Sequence, residues 1–143
     1  MIARRLLLAA SLLALAGCSL ENHPKGDLAV PDRLTAQPHG FYHQDEARDG
    51  ELFKTWAASE NNSDWSVVSH VKAVQRVVEG DAVYAYIHID LNPKKDDPDR
   101  QAQAIGEAYA QWPQRATDAV RVGAFDAQGK RVGRAMMVEP QRS

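Results

Sequence analysis

Four polar side chains alternate along one short stretch and have the types that chemistry uses. In "AVYAYIHID", residues 82–90, one strand face carries Tyr84, Tyr86, His88 and Asp90. A histidine and a carboxylate on one face suit acid–base work, and tyrosines suit binding. The same four residue types are also ordinary on a sheet face that meets water. No serine or cysteine nucleophile with a recognisable turn lies nearby, so we predict a binding face or a solvated face, without catalytic residues or enzyme activity.

A second group of side chains in "HGFYHQDE" has the types that bind divalent metals: His39, His43, Asp45 and Glu46. Imidazole and carboxylate suit zinc or nickel, and two histidines four residues apart would share a helix face. Pro38 and Gly40 oppose a helix through the histidines. We therefore predict no metal site here, and the sequence indicates no cofactor elsewhere.

The only cysteine, Cys18, ends a segment with the pattern of a signal peptide. Two arginines in residues 1–5 precede the apolar run Leu6–Leu15, and the small pair Ala16 and Gly17 follows it. The run is shorter than the about 20 residues that cross a bilayer. This order of charged, apolar and small residues predicts that residues 1–17 are removed on export.

The residues at the end of this segment, Leu15-Ala16-Gly17-Cys18, resemble the lipobox of bacterial lipoproteins. The resemblance implies cleavage between Gly17 and Cys18, and lipid attachment (diacylglyceryl, then a further acyl chain such as palmitate) at Cys18. Two or more chains hold a protein stably on a membrane. Aspartate after the cysteine favours the inner membrane in this family, and Ser19 stands here. The resemblance therefore implies an outer-membrane lipoprotein that faces the periplasm.

Composition and charge limit the kinds of protein that this chain can be and the partners that it can bind. The chain has 143 residues, 44% hydrophobic and 25% charged, which predicts a single domain with its own core. Loss of residues 1–17 leaves 15 Lys and Arg against 19 Asp and Glu, a net charge of −4. A net acidic chain lacks the basic stripe that nucleic acid requires. With Cys18 lipidated no cysteine remains for a disulfide, so packing alone must hold the fold.

The chain divides into a signal peptide at residues 1–17, a lipidated cysteine with a flexible tether at 18–43, and a domain at 44–143. Prolines and glycines interrupt the tether region, where no apolar period survives. Leu28-Ala29-Val30 and Leu34 are mildly apolar, so the alternative is that part of the tether docks on the domain or adds to the sheet edge of a partner. Within the domain, "ELFKTWAASENN" after Gly50 predicts a helix. Residues 66–79 fit a strand or a helix, and their valines favour the strand.

The second half of the domain has clearer signals. Asp97 is a helix N-cap with Pro98 at the first helical position, and the helix runs to about Trp112. The segments 120–125 and 131–138 form a hairpin around Gly129. The sequence predicts an α+β fold: a small two-layer domain with an antiparallel sheet of about four strands and two helices on one face.

These observations together predict a lipid-anchored protein that binds another protein in the cell envelope. An accessory subunit of an envelope assembly and an immunity-type inhibitor of a periplasmic toxin are two versions of this prediction. The alternative is a small-ligand or metal-binding lipoprotein that uses the Tyr84, Tyr86, His88 and Asp90 face. The membrane, through lipid on Cys18, is the first expected partner, and nucleic acid is not one.

Overall fold

The computed structural model describes residues 28–91 and 97–141. Two α-helices, one 3-10 helix and four strands follow one another along this part of the chain. In chain order they are α1 (Gln44–Ser59), η1 (Ser63–His70), β1 (Val71–Glu79), β2 (Ala82–Ile89), α2 (Pro98–Gln111), β3 (Val120–Phe125) and β4 (Arg131–Val138).

The four strands form one mixed sheet in the order β1-β2-β3-β4. The outer pairs β1–β2 and β3–β4 are antiparallel, but the central pair β2–β3 is parallel, with Tyr86 opposite Gly123. The prediction of a wholly antiparallel sheet is therefore wrong at its centre. The reason is the connection between β2 and β3, because a helix that crosses back over the sheet returns the chain to the end at which β2 began.

The helix predicted in the second half of the domain, from Asp97 to about Trp112, is confirmed as α2. Asp97 Oδ1 accepts from the backbone N–H of Asp99 at 3.0 Å, Pro98 opens α2, and the helix ends at Gln111. Helix α1 begins at Gln44, six residues before Gly50. Its start is fixed by the Glu46 carboxylate, which accepts from the backbone N–H of His43 at 2.6 Å. This reciprocal cap extends the predicted helix toward the N-terminus.

The ambiguous stretch 66–79 contains both kinds of structure. Residues 71–79 are strand β1, as predicted, whereas residues 66–70 belong to the 3-10 helix η1. Asn62 caps η1 by accepting from the backbone N–H of Asp64 at 3.0 Å. This polar cap and the eight-residue 3-10 helix that follows it stop the strand from beginning earlier.

The main core lies between the helices and one face of the sheet. Its aromatic centre is Phe53, which contacts Trp56, Tyr109 and Trp112 with ring centroids 5.1–6.4 Å apart. Both α-helices and η1 bury their apolar sides here against Ile87 and other small aliphatic residues of the strands. The small α+β domain with two helices on one face is confirmed.

The opposite face of the sheet is covered by residues 28–43, which we call the strap. Val30 of the strap is 2% exposed and packs with Tyr84, Tyr86 and Phe125, while Leu34 packs at the edge of this cluster. Residues 28–43 therefore do not form the flexible tether predicted for 18–43; they dock on the domain, the alternative to which the apolar residues Val30 and Leu34 pointed. Residues 18–27 of the predicted tether lie outside the described residues.

Candidate functional site

Two arginines hold the strap on the sheet by binding its carbonyl oxygens. Arg131 at the start of β4 donates from Nη1 to Val30 O at 2.8 Å, and its backbone N–H donates to Asp32 O at 2.8 Å. Arg121 of β3 donates to Leu28 O at 3.3 Å. Leu34 completes the attachment through its N–H, which donates to Gly129 O at 2.8 Å. Backbone and charge-assisted hydrogen bonds together fix the strap along its length.

The strap buries both tyrosines of the predicted binding face. Tyr84 is 5% exposed and Tyr86 8% exposed. Tyr84 Oη accepts from Arg121 Nη1 at 3.3 Å, and the Arg121 guanidinium lies 5.7 Å from the centre of the same ring. Burial, with smaller contributions from Glu79 and Tyr84, raises the pKa of Tyr86. Both side chains serve as core of the strap side and not as an open face.

His88 is the most deeply buried polar member of this face, with 3% exposure. Its Nε2 lies 3.0 Å from Gln75 Oε1, and the Tyr42 ring packs against it at 4.9 Å between centroids. Since a carboxamide oxygen only accepts, Nε2 carries the proton and Nδ1 is left as an acceptor. Burial lowers the pKa of His88 to about 4, so the ring is neutral at pH 7.

Asp90 is separated from His88 by its own set of partners. Its carboxylate accepts from His70 Nδ1 at 2.9 Å and from Lys72 Nζ at 3.3 Å, at the exposed end of β2. Burial alone would raise the pKa of Asp90, but the hydrogen bonds from His70 and Lys72 outweigh it and lower the pKa. The His88 and Asp90 side chains therefore belong to two different networks, and the acid–base pair suggested by the spacing does not form.

A cleft of about 400 Å³ remains open where the strap ends beside β2. Its polar walls come from four elements of the chain: His39 and Tyr42 of the strap, Lys72 of β1, His88 and Asp90 at the end of β2, and Asp126 after β3. The Asp126 carboxylate already has partners within the chain, because its Oδ1 accepts from the N–H groups of Gln128 and Lys130 in the β3–β4 turn. The cleft thus offers one neutral imidazole and one ion pair to a ligand.

The candidate metal ligands near the start of α1 are used in other ways. The His39 and His43 rings lie 3.8 Å apart between centroids. Glu46 caps α1, and Asp45 lies 3.7 Å from the Arg48 guanidinium. In residues 28–91 and 97–141 no three His, Cys, Asp or Glu side chains come together in a group that could hold a metal ion.

The outer edge of β1 is the open edge of the sheet. β1 is the first strand in the sheet order, and in the described part of the chain the backbone bonds of its residues go to β2, except that Val71 N–H donates to Val68 O of η1. The other terminal strand, β4, is partly covered, because Arg131 N–H donates to the strap. Exposed side chains along β1 are Lys72, Arg76, Val78 and Glu79, of which Val78 is 60% exposed.

Cys18 and Gly17, the predicted lipid attachment and cleavage residues, lie outside the described residues. Neither α-helix of the described ranges has the length and hydropathy that a membrane crossing requires. Comparison with protein-family models, with curated proteins and with solved structures found no match to this chain.

Sequence reasoning missed the residues that build this side of the molecule. Gln75, Tyr42 and the two arginines of β3 and β4 determine which side chains are buried, yet none stands out by type or spacing. Gln75 could have been found from the alternation of side chains along β1. That alternation places it on the same sheet face as Val77, and across the β1–β2 pair this is the face of His88. The arginines carry no such signal, since their partners are backbone carbonyls about a hundred residues away.

Proposed function

We propose that this protein is a lipid-anchored protein of the bacterial cell envelope, facing the periplasm from the outer membrane, and that it works without catalysis by binding another protein. The anchoring half is supported by the lipobox at Leu15–Cys18 and by Ser19 after it. The binding half is carried by one observation, the open edge of β1.

The docked strap brings the domain close to the proposed anchor. Only residues 19–27 lie between Cys18 and Leu28, the first residue of the strap. At no more than about 3.6 Å per residue, ten Cα-to-Cα steps reach at most about 35 Å. The domain is thus held within one domain diameter of the bilayer surface, where other envelope proteins present their extended segments.

An unpaired edge strand is a template for a strand of another chain, because its outward N–H and C=O groups are free to pair. The second half of β1, residues 75–79, offers five residues for such pairing, because Val71 N–H bonds η1 and the backbone of Ala73 lies against Gly50 of α1. Its exposed charged side chains are Lys72, which pairs with Asp90, together with Arg76 and Glu79, and the exposed Val78 adds an apolar contact. We therefore propose that the partner adds an extended segment to β1, with an acidic side chain facing Arg76. This mode suits an accessory subunit and an immunity-type inhibitor alike.

The ligand-binding alternative has weaker support. Two of its four residues, Tyr84 and Tyr86, are buried beneath the strap, and His88 and Asp90 meet only at the rim of the 400 Å³ cleft. A thermal shift screen with metal salts and small metabolites addresses it directly, since a ligand at this cleft stabilises the folded state.

The anchor is tested by labelling cells that express the full chain with palmitate. We expect the label in the wild-type protein and a mature N-terminus at Cys18, both read by mass spectrometry. The Cys18→Ser variant should carry no label and keep its signal segment. We also expect Ser19→Asp to shift the protein toward the inner-membrane fraction. A wild-type protein without lipid, or a Cys18→Ser variant processed as before, would refute the anchor.

The binding surface is tested separately, by co-purification from detergent-solubilised membranes. We expect a stoichiometric protein with the wild-type chain, its loss in an Arg76→Glu, Val78→Lys variant, and protection of the β1 amides from hydrogen exchange in the complex. Leu52→Lys is the matched control, because Leu52 is an exposed apolar residue on α1. Repeated failure to recover a stoichiometric protein, or a partner that survives the β1 changes, would contradict the proposal.

A further inference from the structure

A second cleft opens on the helix side of the sheet, between η1 and the N-terminal half of α2. Its volume is about 460 Å³, within the range of small-molecule sites. The walls combine apolar and polar side chains of η1, of α2 and of the segment that follows β2: Asp64, Val67, Leu91, Arg100, Gln101 and Ala104. None of these residues belongs to the strap, to the predicted binding face or to the β1 edge. The one link is His70, which also lines the cleft and bonds Asp90.

Gln101 in the wall of this cleft has an unsatisfied carboxamide. The side chain is 6% exposed, and its Oε1 has no hydrogen-bond partner among the residues of the described ranges. Buried polar groups in proteins nearly always have a partner, because an unpaired one forfeits its hydrogen bonds to water. Its Oε1 is shielded from solvent as it stands, and rotation of the side chain toward the cleft would present this oxygen to a hydrogen-bond donor from outside the chain.

The cleft also contains two opposite charges that do not pair with each other. In the part of the chain that the structure describes, the Arg100 guanidinium and the Asp64 carboxylate form no ion pairs. Asp97 at the helix start is used differently, since its Oδ1 accepts from the N–H groups of Asp99 and Arg100. One unpaired cation and one unpaired anion in the same cleft complement a ligand that carries both charges.

We propose that this cleft binds a free α-amino acid with an apolar side chain. The ligand carboxylate pairs with the Arg100 guanidinium, which fits a carboxylate with two parallel hydrogen bonds. The ammonium group donates to Gln101 Oε1, after rotation of the buried carboxamide toward the cleft, and pairs with Asp64. The ligand side chain contacts Val67, Leu91 and Ala104. Each unsatisfied group of the cleft then has a partner.

The test uses the full-length chain in detergent, labelled with ¹⁵N, and L-valine as the probe. We expect millimolar or tighter binding that shifts the side-chain amide signals of Gln101 and the backbone signal of Ala104. Isobutylamine lacks the carboxylate and 3-methylbutanoate lacks the ammonium group, so each should bind about tenfold more weakly or worse. No shift with valine, or equal shifts with either single-charge analogue, overturns the proposal, as does binding of D-glucose in place of valine.

Two variants and one control separate binding from folding. Arg100→Gln and Gln101→Met should each weaken valine binding about tenfold or more, because each removes one charged or polar contact. Gln101→Met should fold at least as stably as the wild type, since it removes a buried unpaired oxygen. Arg48→Gln on α1 is the matched loss of an exposed arginine and should bind as the wild type does. Valine affinity that is unchanged in Arg100→Gln overturns the assignment.

Discussion

Arg131 Nη1 donates to the carbonyl oxygen of Val30 at 2.8 Å, across 101 positions of the sequence. This contact joins the most deeply buried apolar residue of the strap to the start of the last strand. The guanidinium also lies 3.1 Å from the Asp32 carboxylate, so one side chain holds both the backbone and an acidic side chain of the strap. The strap is thus a structural layer of the domain and not a spacer.

The docking of the strap can be tested at Gly123, the β3 residue beneath Val30. A Cβ at this position would lie 2.6 Å from Val30 Cγ1, closer than real Cβ atoms approach a neighbour. We expect Gly123→Ala to lower the free energy of unfolding by about 1–3 kcal/mol, the usual cost of overpacking a core. We also expect faster hydrogen exchange of the strap amides. Urea unfolding and exchange mass spectrometry measure the two effects.

The control for this prediction is the double variant Val30→Ala, Gly123→Ala. Shortening Val30 removes the methyl group that the new Cβ would strike, so the double variant should be less destabilised than the sum of the two single variants. Gly123→Ala with wild-type stability and unchanged strap exchange would contradict the docking of Val30 on the sheet.

The buried imidazole of His88 makes stability depend on pH. The pKa of His88 is lowered from 6.5 to about 4 in the folded state, so the unfolded chain takes up this proton first as the pH falls. The stability of the fold is therefore unaffected by His88 above about pH 6.5 and decreases between pH 6.5 and 4. The expected loss is up to about 3 kcal/mol. Urea unfolding at a series of pH values measures it.

Two variants isolate the contribution of His88. His88→Gln keeps a polar side chain that does not titrate, so the loss of stability between pH 6.5 and 4 should shrink by most of its size. His39→Gln removes an exposed histidine of the strap and should leave the pH profile as it is. A His88→Gln variant with the wild-type slope would show that another group is responsible.

The separation of His88 from Asp90 predicts that the two side chains titrate independently. The partners of Asp90 are His70 and Lys72, whereas His88 bonds Gln75. We expect Asp90→Asn to leave the pKa of His88 unchanged when its ring signals are followed by NMR. The exposed ion pairs of Asp90 should contribute less than about 1 kcal/mol to stability. A marked fall in the pKa of His88 would instead indicate a direct interaction between the two groups.

Arg115 is a buried cation whose partners are all carbonyl oxygens. It donates from Nη2 to Glu139 O at 2.7 Å and from Nη1 to Ala116 O at 2.9 Å, which ties the loop after α2 to the end of β4. Lysine cannot form this fork. We therefore expect Arg115→Lys to cost about 1.5–3 kcal/mol in urea unfolding. Arg134→Lys, at an exposed position of β4, should change stability by less than about 0.5 kcal/mol.

Local signals in the sequence predicted most of the helices, strands and turns. They did not predict the contacts between residues that are far apart in the chain. The cap at Asp97, the stop after Gln111 and the turn at Gly129, whose φ is +79°, follow from residue type and appear as predicted. The parallel pairing of β2 with β3 depends on where α2 returns the chain, and no residue of either strand encodes that choice.

In the candidate site, too, local residue types predicted some features and contacts between distant residues determined the others. The alternation on β2 correctly placed Tyr84, Tyr86 and His88 on one face and Ile87 on the other. Whether that face meets water depends on the strap, and the prolines and glycines of residues 28–43 predict an open chain. The apolar residues Val30 and Leu34 indicated docking as the alternative, but the patch that they match exists only after the sheet has formed, so residue types alone did not decide between the two.

The attachment of the strap also determines how the domain responds to tension. A lipid on Cys18, the proposed anchor, would transmit any pull between membrane and partner into the fold at Leu28. The pull would first meet the bond from Arg121 to Leu28 O and then the bonds of Arg131 to Val30 O and Asp32. A partner bound at β1 lies at the opposite edge of the sheet from β4, so force would pass from β1 through β2 and β3 before it reached Arg121 and the strap.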